Sequence, residues 1–164
     1  LLLARLDSGA GLRHESVDLS RLLVDAVSDA HVAAPDHEWV LEDLPEDVHV
    51  DGDPDRLHQV VANLLANART HTPPGTTVTV SLSASAEGAV IEVADDGPGI
   101  PESIGGTLFE RFTRGDSSRS RAAGSTGLGL SIAKAIVDAH QGTITADSVP
   151  GRTVFRVTLP VDPD

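Results

Sequence analysis

Asn63 and Asn67 stand four residues apart in a stretch, residues 55–70, whose apolar positions Leu57, Val60, Val61, Leu64, Leu65 and Ala68 recur at helical spacing. Both asparagines therefore project from one helix face, within about 40° of each other, at the edge of the apolar stripe. An asparagine carbonyl is an oxygen ligand suited to Mg²⁺, which keeps waters and phosphate oxygens and takes only one or two ligands from protein. A solvated polar pair would have the same spacing. Asp95 follows the apolar run 90–93 at a strand-to-loop edge. In a closed apolar pocket its carboxylate accepts a hydrogen bond from the exocyclic amino group of adenine and repels the carbonyl oxygen of guanine. Gly97 and Gly99 let the backbone approach a ring without a Cβ in the way, although a plain polar turn is also rich in Asp and Gly. Gly127-Leu128-Gly129-Leu130 opens a second helical stripe, and its exposed N–H groups suit phosphate. There is no GxxxxGK[ST] and no GxGxxG, so the P-loop and the dinucleotide fingerprint are both absent. In this order the three pieces describe a pocket for Mg-ATP.

Arg111, Arg114, Arg119 and Arg121 place four of the chain's 12 basic residues within residues 111–121, beside Phe109 and Phe112. In an acidic chain this local reversal of sign predicts a partly hydrophobic lid that clamps a polyphosphate; the alternative is a solvated basic loop. Asp51, Asp53 and Asp55 imitate the start of a calcium loop. Arg56 occupies the glycine position and Ala62 stands where the bidentate glutamate belongs, so calcium is excluded. The seven histidines show no zinc-like spacing.

The elements that position these residues follow from local signals. A helix end is expected at residues 1–6 and a short strand at 15–17. Asp18 then caps a helix carrying Leu19, Leu22, Leu23, Ala26, Val27 and Ala30, which ends before Pro35. Short strands are expected at 39–41 and 48–50. Asp53-Pro54 sets a cap and then a proline at the first helical position, a specific start signal for the asparagine helix. Residues 76–83 and 89–94 read as a hairpin around Glu87-Gly88, residues 127–140 as a helix, and 143–147 and 153–159 as two last strands. Helices mixed with hairpin-connected strands predict an α+β, two-layer α/β sandwich: a mixed, mostly antiparallel sheet with helices on one face.

The chain has 164 residues, a 40% hydrophobic fraction and a formal charge of −13, which fits one folded domain and argues against a nucleic-acid or polybasic membrane-surface partner. No cysteine is present, excluding disulfides, thiolate metal sites and cysteine nucleophiles. Leu1 is not preceded by a methionine, and no signal peptide follows. The chain therefore reads as a piece of something longer.

On these residues the chain resembles the catalytic ATP-binding domain of sensor histidine kinases of two-component systems, within the wider group of ATPases that includes DNA gyrase B, Hsp90 and MutL. The resemblance runs over residues 15–160. Residues 55–73 resemble the N box, 95–100 the G1 box, 108–114 (LFERFTR) the F box and 124–132 the G2 box, while 151–160 resemble the closing strand. It implies a Bergerat-type ATP-binding fold over residues 13–164. Residues 1–12 would end the dimerisation and phosphoacceptor helix and its linker, and the ATP lid would lie at about 101–126. It further implies Asn67 as the Mg²⁺ ligand, Asn63 near the phosphates, Asp95 on the adenine amino group and His71 near ribose and base. Gly97, Gly99, Ile100, Gly127, Leu128 and Gly129 would shape the pocket, with Arg114 reaching phosphate from the lid. Asn63 and Arg114 are the candidates for a catalytic role.

Three departures stand out. Thr70 occupies a position where many relatives carry Lys or Arg, which puts a phosphate contact there in doubt and leaves open whether neighbouring Arg69 replaces it. Ser125 replaces a usual glycine. His14-Glu15 starts like the phosphoacceptor motif but lacks its continuation, so His14 is a linker residue and the phosphorylated histidine is missing from the chain. In hydrolysing relatives a glutamate that activates water precedes the magnesium asparagine by one turn. Here that position is Asn63, which cannot act as a base near neutral pH. The resemblance therefore implies a kinase acting on its own dimerisation domain and feeding a response regulator, in a parent protein that is a membrane-anchored homodimer. The alternatives are a weak ATPase or anti-sigma-type serine kinase of related fold, or a non-catalytic interaction module.

Overall fold

Residues 12–42, 44–86, 88–98, 126–149 and 151–161 are described by the computed structural model of the chain. The expected helix end at 1–6, Gly99, Ile100, Arg114 and the lid up to residue 125 lie outside them, as does the Leu128 side chain.

Strand β1 (Glu15–Asp18) runs directly into helix α1 (Leu19–Ala33), because the Asp18 carboxylate accepts the Arg21 N–H at 3.2 Å and closes the first turn. Leu19, Leu22, Leu23, Ala26 and Val27 form the buried stripe of α1. After β2 (Glu38–Leu41) and β3 (His49–Gly52), Asp53 caps α2 (Pro54–His71), with Pro54 in the first turn where no N–H is needed. A hairpin of β4 (Thr77–Ser85) and β5 (Gly88–Asp95) follows, then α3 (Thr126–Ala139), β6 (Thr143–Val149) and β7 (Arg152–Leu159).

Five strands form one sheet in the order β2-β4-β5-β7-β6, all neighbours antiparallel except β2 and β4, while β1 and β3 make a separate two-stranded ribbon. Alternation along the strands buries Val78, Val80 and Leu82, then Ala89, Ile91 and Val93, then Phe155, Val157 and Leu159. These side chains join Leu57, Val60, Val61, Leu64 and Leu65 of α2 and Leu130, Ala133, Ile136 and Val137 of α3 in one core. The α+β sandwich with a mixed, mostly antiparallel sheet and helices on one face is the architecture the periodicities predict. Two local details differ. The strand expected at 48–50 is displaced to His49–Gly52 because its pairing to β1 runs from Asp18↔His49 to Glu15↔Gly52. In the hairpin, Gly88 is not a turn residue but the first of β5, paired with Ser85.

Candidate functional site

The five-stranded sheet delivers Asp95 to the end of a central strand, with Val78 of β4 opposite it on one side and Thr153 of β7 on the other. Such a position has walls on both flanks, and Asp95 is 8% exposed. Its Oδ1 accepts the Gly97 N–H at 3.0 Å, while Oδ2 has no donor among the described residues. Burial pushes the Asp95 carboxyl above its ordinary value. The Gly97 N–H opposes that, the Asp96 charge adds to it, and the charges of His37 and His71 oppose it.

Gly97 is pressed against the residue that ends α2: a Cβ there would lie 2.6 Å from Thr72 Cγ2. Thr72 Oγ1 donates to the Ala68 carbonyl at 2.6 Å and stands 2.8 Å from His37 Nε2, and His37 Nδ1 is 3.1 Å from Asp36 Oδ1. His37 is buried and its ring lies 5.9 Å from that of Trp39, centroid to centroid. Asp36, His37, Thr72 and Gly97 thus form a continuous buttress behind Asp95. His71, one residue before Thr72, feels two opposed effects: partial burial of its ring lowers its pKa, and the Asp95 charge raises it, with burial prevailing.

Asn67 lies one helical turn before His71, is buried, and has no hydrogen-bond partner among the described residues. No buried side-chain polar atom lacks a partner among the described residues, so the amide of this mostly buried residue reaches solvent and is open to a ligand. Asn63, one turn earlier, has its amide committed: Nδ2 donates to the Gly129 carbonyl at 3.0 Å. That bond ties the first turns of α3 to the middle of α2. Asn63, Asn67, His71, Asp95, Gly97 and Gly129 are therefore gathered around the C-terminal half of α2. Arg69 is not among them. It lines a groove of about 150 Å³ between α1 and α2 together with Ala26, Asp29, Ala30 and Trp39, so it does not take the place of a basic residue at Thr70. Asp51, Asp53 and Asp55 serve the start of α2 and its neighbours, and no group of three or more His, Asp or Glu suited to a metal forms among the described residues.

Residues 52–163 match the family described as histidine kinase-, DNA gyrase B- and HSP90-like ATPases. The chain belongs to this family. Within it, the chain is the catalytic ATP-binding domain of a sensor histidine kinase. It is 63% identical over 162 residues to a probable sensor histidine kinase, TcrY, of Mycobacterium tuberculosis, covering 99% of this chain and 34% of that protein. The chain thus spans about a third of the length of that relative. Its fold superposes with a TM-score of 0.75 on a mycobacterial sensor histidine kinase, MprB, at 32% identity, covering 92% of this chain and 99% of the other. The ATP-binding domain of PrrB from Mycobacterium tuberculosis gives a TM-score of 0.74 at 30% identity, covering 91% and 98%.

In this kinase domain, several residues that shape the site carried no signal in the sequence. His37 meets Thr72 across 35 positions and His140 meets Asp53 across 87, and neither histidine lies in a motif with a partner at fixed spacing. Thr72 had a faint signal, a hydroxyl one turn after Ala68 at a helix end, where such side chains bond back to the i−4 carbonyl. No helix among the described residues is long and apolar enough to cross a membrane.

Proposed function

We propose that the domain binds Mg-ATP with adenine on Asp95 and the phosphates between Asn67 and the start of α3, and that it passes the γ-phosphoryl group to a histidine on a separate dimerisation domain. The observation that carries this is Asp95: a mostly buried carboxylate at the end of a central strand, with one oxygen bonded to Gly97 N–H and the other open to solvent. An adenine amino group supplies the missing donor; guanine would bring a second acceptor. The Thr72–His37 buttress holds Gly97, and Gly97 holds Asp95, so the carboxylate is oriented before the base arrives.

Asn67 fits Mg²⁺ because it offers one neutral oxygen outside any cluster of three or more metal-binding side chains among the described residues, leaving the remaining positions to waters and phosphate oxygens. When bound, the ion would offset charge on the β- and γ-phosphates. Phosphoryl transfer needs mainly positioning and charge neutralisation from protein. Asn63 contributes no base: its amide donates to Gly129, so the site holds the start of α3 against α2 without activating water there. Arg114 would add charge from the lid, and His71 would flank the ribose and base.

In this proposal residues 1–12 end the dimerisation helix and linker and residues 13–164 form the catalytic domain. The parent protein is a membrane-anchored homodimer, and a response regulator receives the phosphate. The test is phosphate incorporation from labelled ATP and Mg²⁺. The chain alone should incorporate none, and adding a dimerisation domain with its histidine should restore it. Labelling of the chain by itself would contradict the proposal.

A further inference from the structure

Helices α2 and α3 run antiparallel and are pinned to each other at two points. One is the Asn63–Gly129 hydrogen bond at the phosphate end of the pair. The other lies ten residues back along α2, about 15 Å away at helical rise. There, beyond the end of α3, His140 Nε2 accepts the Asp53 backbone N–H at 3.0 Å, and His140 Nδ1 stands 2.8 Å from the Ile136 carbonyl. A carbonyl only accepts, so Nδ1 carries the proton and Nε2 presents a lone pair to Asp53; both ring nitrogens are used and the ring cannot turn. Gly52 is shaped to this ring, since a Cβ on Gly52 would lie 2.6 Å from His140 Cδ2 and 2.7 Å from Nε2. Asp53 is also the cap of α2, accepting from Asp55 N at 3.1 Å and Arg56 N at 3.3 Å. His140 is thus fastened to the cap residue of the helix that carries Asn63 and Asn67.

We infer that His140 is a positioning residue for nucleotide phosphate: it sets the register of α3 along α2, and so the distance between the backbone N–H groups at the start of α3 and Asn67. The inference rests on the proposed ATP site. The buried face of α3 holds it against the core, but apolar packing is non-directional and Asn63 fixes the register at one end only; each residue of slip would move the phosphate end by about 1.5 Å, a displacement on the scale that matters for phosphate contacts. The base end is held by a different set of contacts, Thr72, His37 and Gly97, and does not depend on this register.

The test compares ATP and adenosine binding to this chain by calorimetry, with Mg²⁺ present, for His140→Asn, His140→Gln and Gly52→Ala. Asn keeps a donor for Ile136 but cannot reach Asp53; Gln places an acceptor where Nε2 stood; Ala at 52 evicts the ring from the opposite side. The Asn and Ala variants should bind ATP about tenfold more weakly, the scale of one charge-assisted hydrogen bond to phosphate lost through misplacement. Adenosine should bind unchanged, and the Gln variant should bind ATP within about threefold of the unchanged chain. Retained adenosine affinity shows that the variants are folded. Equal losses for ATP and adenosine, or no loss of ATP in the Asn variant, would overturn this inference alone. An unchanged chain that binds neither ligand would overturn the proposed ATP site and this inference with it.

Discussion

Asp53 and Asp95 are both buried aspartates, 4% and 8% exposed, and they have opposite electrostatic outcomes. At Asp53, burial pushes the carboxyl up, but the backbone N–H groups of Arg13, Arg56 and Asp55 together outweigh it and hold the group below its ordinary value. At Asp95, burial prevails over the one N–H from Gly97, and the group sits above its ordinary value. Two things differ: the Asp95 carboxyl is packed more deeply among protein atoms, and the fold supplies it fewer donors. Asp53 is fully used by its own chain: it caps α2, and its side chain also takes the Arg13 N–H at 3.1 Å from the segment leading into β1. Asp95 is left one donor short. A buried carboxylate with its full set of donors holds the structure together, and one held back from that set is available to a ligand.

The contrast can be broken most severely at Asp95. Asp95→Asn should lower ATP affinity by about a hundredfold or more, because a donor amide then faces the adenine amino group. Without nucleotide, its urea midpoint should equal or exceed that of the unchanged chain, since a destabilised charge has been removed; a clearly lower midpoint would make Asp95 a structural residue like Asp53. Asp53→Asn should do the reverse, costing about 1 kcal/mol of stability because three backbone N–H groups exchange a charged acceptor for a neutral one, while the folded protein binds ATP within about threefold of normal. Thr72→Val keeps the shape but removes the hydroxyl between His37 and Ala68. It should weaken ATP binding about fivefold through looser placement of Gly97 and Asp95, and unaltered affinity would detach the buttress from the base site.

The smallest effect is in the pH dependence, and the two aspartates should show opposite signs. The Asp53 carboxyl is depressed, so its stabilisation is present above the ordinary aspartate value of 3.8 and is lost as pH falls through the lower folded value. The stability gap between the unchanged chain and Asp53→Asn should therefore close in acid below 3.8. The Asp95 carboxyl is raised, so its cost is absent below 3.8, grows as pH rises above 3.8 and is complete above the higher folded value. Any stability advantage of Asp95→Asn should therefore be visible near neutral pH and vanish in acid. Urea titrations of the three proteins across this range check both signs.

Much of the fold is legible in the chain because its signals are local. Asp53-Pro54 announces α2, the apolar repeat from Leu57 to Ala68 orients it, and β-branched runs mark β4 and β5. The candidate site residues lie in these same signals, since Asn63, Asn67 and Asp95 are placed by the period or the end of one element. What was not legible depends on pairing between distant segments. Nothing near Glu38–Leu41 says that it joins the sheet parallel to β4 while β3 leaves to pair with β1. Likewise His37 and His140 look like ordinary surface histidines until the fold brings them to Thr72 and Asp53. Asn63 shows the middle case: its place on the helix was readable, but the Gly129 carbonyl that engages its amide was not.

Whether Asp95 reads the base is decided by paired calorimetric titrations of this chain with Mg-ATP and Mg-GTP. ATP should bind saturably and GTP at least a hundredfold more weakly, the discrimination expected of an acceptor that faces an amino group in one base and a carbonyl in the other. Comparable affinities for ATP and GTP would contradict it.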